Sequence, residues 1–175
     1  SSRCCFKFIN NFMIIWLSSY PKSGNTWLRS LLSSYFFTTD GSFNFDLLKN
    51  IDQFPSSPFF SKYEDPFSKP ESTSKFWIKE QTRINKDKKL RFFKTHNAMC
   101  KIDGNSFTDA TNTLGAIYIV RDPRKIVSSL SHHYQLSNNE AWEFMNTENK
   151  AIIEKIENRY LGFNALCSWK FHEKS

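Results

Sequence analysis

Met13-Ile-Ile-Trp-Leu-Ser-Ser-Tyr20-Pro-Lys-Ser-Gly-Asn-Thr-Trp27 changes character twice along its length. Residues 13–18 are short, apolar and β-prone, as expected of a buried parallel strand. Pro21 and Gly24 then break the run. From Thr26 the spacing turns helical, with Trp27, Leu28, Leu31, Leu32 and Tyr35 three or four apart. A strand, a polar glycine-containing loop and a helix, in that order, point backbone N–H groups at a common spot and make an anion site.

Outward from this segment the same alternation recurs. Residues 90–94 read as a second strand ending in Thr95-His96-Asn97, and Gly115-Ala-Ile-Tyr-Ile-Val120 reads as the clearest buried strand of the chain. Asp122-Pro123 follows as a helix start, because Asp caps and Pro suits the first turn; Ile126, Val127, Leu130 and Tyr134 continue on one face. Between these blocks, 44–51 predicts a short helix, 53–75 a long surface loop or lid rich in Ser with Pro55, Pro58, Pro66 and Pro70, and 74–87 a polar helix seated on Phe76, Trp77, Ile78 and Ile84. After Asn138 the spacing of Ile153, Ile156, Tyr160, Phe163, Leu166 and Trp169 predicts helix to the end, broken at Gly162. The fold class expected is α/β: a doubly wound parallel sheet with a P-loop-like strand–loop–helix, its ligands at the carboxyl ends of the strands. All three polar clusters fall at such ends.

The totals set bounds. The 175 residues suit one domain, and 39% hydrophobic residues supply a core. The 18 Phe accompany abundant Asn, Lys, Ile and Ser, all residues with AT-rich codons, so genome bias accounts for the aromatic excess. A net charge of +7 favours anionic partners. The basic residues are dispersed and form no reader module, so nucleic acid is not the expected partner. Cys4, Cys5, Cys100 and Cys167 make no framework and read as reduced thiols of a cytoplasmic protein. Nothing approaches the roughly 18 unbroken apolar residues of a membrane span, and residues 6–17 are interrupted by Lys7, Asn10 and Asn11 with no signal cleavage site after them. Met13 reads as the natural start, with 1–12 an upstream or disordered extension and 13–175 the domain. Oligomeric state leaves no trace in the sequence.

Three constellations carry chemistry. In the first loop Lys22 supplies a point charge, Ser23 and Thr26 supply hydroxyls, and Gly24 permits close approach to an oxyanion. A nucleotide-kinase loop needs Gly-Lys-Ser/Thr; here Lys precedes Gly. A P-loop kinase or NTPase is therefore the alternative reading, and a bare strand-to-helix turn the plainest one. The second constellation is Lys94-Thr95-His96, which puts an imidazole suited to general-base work beside a cation. The third is Arg121-Asp-Pro-Arg-Lys-Ile-Val-Ser-Ser129, whose Arg121 offers a planar donor fork for phosphate at a strand end. Arg124 and Lys125 read as a solvated basic face.

Pro21-Lys-Ser-Gly-Asn-Thr-Trp27, Lys94-Thr95-His96 and the pair Arg121 and Ser129, in this order, resemble the sulfotransferase family that uses 3′-phosphoadenosine-5′-phosphosulfate, of the cytosolic and bacterial type. The resemblance runs from about Met13 to Tyr134 and more weakly to Ser168-Trp169. It implies that Lys22 contacts the phosphosulfate and that Ser23, Gly24, Asn25 and Thr26 bind the 5′-phosphate, with Asn25 where many relatives have Thr. It implies further that Trp27 stacks on adenine, that Arg121 and Ser129 take the 3′-phosphate, that His96 is the base, and that Lys94 steadies the transferring group. A small-molecule acceptor with a hydroxyl or amine, and no metal, complete the expectation. The family's later Arg-Lys-Gly-x-x-Gly-Asp-Trp-like segment has no counterpart here. The domain is accordingly expected to be C-terminally incomplete, with an inactive fragment that only binds 3′-phosphoadenosine nucleotides as a further alternative.

Overall fold

The strand read around residues 13–18 is β1 (Ile14–Ser19), and helix α1 (Asn25–Phe37) follows the loop. A 3-10 helix at Phe45–Asn50, the single turn α2 (Ser57–Phe60), a second 3-10 stretch (Pro70–Phe76) running into α3 (Trp77–Ile84) and a 3-10 turn (Asn85–Asp87) lead to β2 (Arg91–Thr95). A small hairpin, β3 (Lys101–Ile102) and β4 (Asn105–Ser106), precedes β5 (Thr113–Ile119). Helices α4 (Pro123–Tyr134) and α5 (Asn138–Asn146) and the hairpin of β6 (Ile152–Ile156) and β7 (Arg159–Asn164) complete the order. The structure, a computed structural model, describes residues 13–63, 70–147, 152–156, 159–164 and 169. The extension expected at 1–12, the thiols of Cys4, Cys5 and Cys167, and part of the 53–75 loop lie outside the described residues.

The main sheet has the order β2-β1-β5, all parallel. Trp16 stands opposite Phe93 and Ala116, and Ser18 opposite Thr95 and Tyr118. On the outer side of β2, Lys94 N–H donates to Asp52 O (2.8 Å) and Phe54 N–H to Lys94 O (2.9 Å), so residues 52–54 run alongside as a short extra rung. One face of the sheet carries an aromatic core of Trp16, Phe54, Phe60, Trp77, Phe93 and Phe107, in which Trp16 and Phe107 lie 4.9 Å apart between ring centroids. On the other face α1 packs Phe36 against Phe92 at 5.4 Å. Helices thus flank both faces, as a doubly wound sheet requires. A second cluster of Tyr20, Ile126, Leu130, Ala141 and Met145 joins α4 and α5 to the end of β1.

Buried polar groups are tied down, as burial demands. Gln81 donates to Phe107 O (2.6 Å), Thr108 Oγ1 donates to Gln81 Oε1, and Trp16 Nε1 donates to Thr113 Oγ1 (2.9 Å), which links α3 to β5 and β1. The Glu80 carboxylate is wholly buried yet meets Lys62, Arg83 and Tyr63. Burial raises its pKa, but those three hydrogen bonds outweigh it and hold the group below its ordinary value. Burial first, then Glu80, pushes the Tyr63 phenol up to about 12.

Several expectations are corrected. The run 115–120 is not a buried strand: among the described residues β5 is an edge strand, and Leu114, Ile117, Tyr118 and Val120 are exposed. Its β-branched residues favour a strand wherever it sits, and α4 turns its apolar face to Tyr20 and α5 instead. The helix expected from Asn138 to the end is interrupted: α5 stops at Asn146, beyond it β6 and β7 pair antiparallel, and Trp169 is again helical. Clustered Ile and aromatic residues satisfy either period over so short a run, and Gly162 sits opposite Glu154, where the register shifts. The β3–β4 hairpin has a sequence signal that periodicity overlooks: Asp103-Gly104, both at positive φ (50° and 80°), is the turn pair that closes two-residue hairpins. The expected helix at 44–51 is a 3-10 helix, and the helix at 74–87 is α only over Trp77–Ile84. Among the described residues no helix is long and apolar enough to cross a membrane.

Trp77 is fully buried, edge-on to Phe107 at 5.4 Å, with Nε1 donating to Thr73 Oγ1 at 3.1 Å. Trp77→Ala is expected to lower the unfolding free energy by about 3–5 kcal/mol, read from urea denaturation curves.

Candidate active site

The loop after β1 is built by backbone constraint. Ser23 N–H donates back to Tyr20 O (3.2 Å), Lys22 sits at φ 66° and Gly24 at φ 107°. A non-glycine residue in this left-handed region carries about 1–3 kcal/mol of strain, a cost met mainly at functional sites. Gly24 is the N-cap of α1 and offers no side-chain cap. The first N–H groups of the helix therefore lack the partner a Ser or Asp cap would supply, which is the setting in which an anion binds. Ser23 Oγ lies buried beneath the turn with no hydrogen-bonding partner among the described residues. An orphaned hydroxyl under a loop of free N–H groups fits a phosphate or sulfate oxygen.

His96 follows the carboxyl end of β2. Its Nδ1 lies 2.8 Å from Ser19 O and 3.2 Å from Ser19 Oγ. A carbonyl oxygen can only accept, so Nδ1 carries the proton and Nε2 is the basic nitrogen of the ring. The same carbonyl goes on accepting from Nδ1 once Nε2 has taken up a proton. Lys94 is aimed by Gln53, whose Oε1 accepts from Nζ at 2.9 Å. Arg121 reaches across from the end of β5 and donates Nη1–H to Lys22 O at 2.9 Å, which ties the third constellation to the first. Asp122 is committed elsewhere: it caps α4 by accepting from Arg124 N–H (2.9 Å) and pairs with the Arg124 side chain. The Arg124 hydrogen bond holds its carboxyl down at about 2, and this carboxylate after β5 serves the helix as its cap.

These groups converge on one cleft of about 480 Å³, lined by Pro21, Lys22, Gly24, Asn25, Thr26, Trp27, Lys94, His96, Arg121, Ser129, His133 and Tyr134. The lining holds three fixed cations and no carboxylate. Of the residues singled out by sequence, all but Ser23 line it, and Ser23 is buried under the loop. Trp27 is 70% exposed, which rules out a place in the core. Asn25, by contrast, is turned inward: its Nδ2 donates to Leu17 O (2.7 Å) and Ser19 Oγ (3.2 Å). Sequence reasoning missed His133, one turn beyond Ser129 on α4, where the i,i+4 spacing was the available signal. It also missed Ser19, for which no signal existed, because the contact uses a main-chain oxygen.

A comparable hollow of about 490 Å³ lies at the opposite, amino end of β2, beside Arg83, Lys86, Asp87 and Arg91. There Arg83 is paired with Glu80 and Arg91 with Asp87, so the charge is largely spent internally. Among the described residues no three or more His, Cys, Asp or Glu side chains come together to hold a metal ion.

The model of the sulfotransferase domain family matches residues 14–171, most of the chain and all of this cleft. No curated protein matches the sequence significantly.

A Cβ at Gly24 would meet nothing within 4 Å, so Gly24→Ala tests the backbone alone. It is expected to cost about 1–2 kcal/mol in urea unfolding and to weaken anion binding in the cleft. Asp122 stabilises α4 above its ordinary value of 3.8, and that contribution is lost as pH falls toward about 2. Acid titrations of wild type and Asp122→Asn, followed by circular dichroism, should therefore differ above about pH 4 and converge near pH 2.

Proposed function

We propose that this chain, which belongs to the sulfotransferase domain family, moves a sulfuryl group from 3′-phosphoadenosine-5′-phosphosulfate to a hydroxyl or amine of a small-molecule acceptor. The observation that carries the reading is the meeting of Lys22, Lys94, Arg121 and His96 in one carboxylate-free cleft at the carboxyl ends of three parallel strands. Such a site suits a nucleotide with two anionic groups and a reactive centre that needs both a base and charge neutralisation.

In this reading the N–H groups of the Gly24 turn, Ser23 Oγ and Lys22 hold the 5′-phosphosulfate. Trp27 offers its exposed indole face to adenine. Arg121, with one N–H anchored on Lys22 O, keeps its other donors for the 3′-phosphate, which Ser129 approaches from α4. His96 Nε2 removes the acceptor proton as the acceptor oxygen or nitrogen forms its bond to sulfur. The bond from sulfur to the bridging oxygen breaks on the opposite side, and that oxygen leaves with the nucleotide. Lys22 neutralises the charge developing on it, and Lys94, aimed by Gln53, faces the sulfuryl oxygens. Positioning and fixed charge do the chemistry, as in phosphoryl transfer. The free Cys100 thiol, pushed up to about 11 by burial, suits a reducing, cytoplasmic setting.

Calorimetric titration with 3′-phosphoadenosine-5′-phosphate, with AMP and Mg²⁺-ATP as controls, tests the nucleotide assignment. A preference for the 3′-phosphorylated nucleotide that falls about 10- to 100-fold in Arg121→Ala is expected, the worth of a charge-assisted hydrogen bond or two. Equal binding of AMP would overturn it. His96→Ala is expected to reduce sulfuryl transfer by about 10²–10⁴-fold while nucleotide affinity stays near wild type; turnover close to wild type would remove His96 from the role of base.

A further inference from the structure

Asn25 and Ser19 occupy an unexpected position between the nucleotide loop and the base. Asn25 is 3% exposed and Ser19 is fully buried. The Asn25 Nδ2 spans from Leu17 O (2.7 Å) to Ser19 Oγ (3.2 Å), and Ser19 in turn presents O at 2.8 Å and Oγ at 3.2 Å to His96 Nδ1. The amide cannot be flipped, because its oxygen would then face the Leu17 carbonyl at the same short distance. Its Oδ1 is buried with no partner among the described residues. A buried amide that leaves its acceptor unused while its donor is doubly engaged is placed by that donor.

We infer that Asn25 is a positioning residue: the Ser19 carbonyl fixes His96 in the Nδ1–H tautomer, and Asn25, the first residue of α1, holds that carbonyl in register through its bonds to Leu17 O and Ser19 Oγ. The inference rests on the reading of His96 as base, and deepens it. Asn25 pins the last turn of strand β1 at Leu17 O, and its second contact takes up an acceptor site of the Ser19 hydroxyl. The Ser19 hydroxyl can donate or accept, whereas the carbonyl at 2.8 Å can only accept, so the carbonyl is what obliges Nδ1 to supply the hydrogen. Which ring nitrogen is basic is set by the bond that the other one makes. The nucleotide loop begins at the same residue, so binding at Gly24 and orientation of His96 share one rigid joint. A Thr at position 25 would have a shorter reach to the same two oxygens, and the longer Asn bridges them with a single nitrogen.

Long-range ¹H–¹⁵N spectra of the imidazole rings, recorded on the ¹⁵N-labelled chain above the titration range of histidine, test the assignment. His96→Gln identifies the His96 pattern by its disappearance. The expected result is a single Nδ1–H tautomer for His96 in the wild type, kept in Ser19→Ala, which retains the carbonyl, and converted to a mixture of tautomers in Asn25→Leu. An Nε2–H pattern in the wild type overturns the proposal, as does an unchanged pattern in Asn25→Leu. Should Asn25→Leu fail to fold by circular dichroism, Asn25→Ala, which removes both donor contacts with a smaller side chain, decides in its place. Absence of 3′-phosphoadenosine-5′-phosphate binding by the wild type would count against the sulfotransfer reading and leave the tautomer result standing, so the two failures are distinguishable.

Discussion

The hydrogen-bonded ladder of β1, with β2 on one side and β5 on the other, is the constraint from which the rest follows. Parallel pairing puts the carboxyl ends of all three strands at one edge, and the order β2-β1-β5 makes successive connections depart to opposite sides of β1. A crevice opens where the connections part. Lys22, His96 and Arg121, far apart along the chain, each follow one of these ends. Their meeting is a consequence of register: Ser18 aligned with both Thr95 and Tyr118 brings the residues just beyond each strand into a common layer.

Rigidity beneath the crevice comes from two different sources. On one face the aromatic core around Trp16, Phe54, Phe93 and Phe107 fixes β1 and β2 by packing alone. On the other, directed polar contacts do the work: Arg29 donates to Leu48 O and Ile51 O (2.8 and 2.6 Å), which holds the 45–51 stretch against α1. Residues 52–54 then reach Lys94 through the backbone, and Gln53 aims its amine. The irregular segment after α1 is thus part of the support for Lys94, a cation of the cleft. Loops carry such roles where a stiff scaffold positions them.

The electrostatics of the cleft arise from what is kept out as much as from what is brought in. The carboxylate that follows β5 is engaged in structure: Asp122 caps α4 and pairs with Arg124. With that carboxylate so occupied, the cations lining the cleft retain their field for an anionic ligand.

Much of this was legible in the residues alone. The strand, loop and helix at 13–35 were legible because Pro21 and Gly24 punctuate a change of period from two to three or four, and local backbone physics does not depend on distant contacts. Asp122 was legible as a cap for the same reason. Lys22, Lys94, His96 and Arg121 could be chosen because each stands at the end of an apolar run, and Ser129 by its spacing from Arg121 in the motif that the segment resembles. Burial was decided only by tertiary structure. The apolar residues of β5 do not reveal that it is an edge strand among the described residues, and those of 152–164 fit a helix period as well as the strands they form. Nor could the sequence show the orientation of His96, which depends on the carbonyl of Ser19, a main-chain atom that every residue possesses. Only the fold determines which carbonyl stands next to which ring.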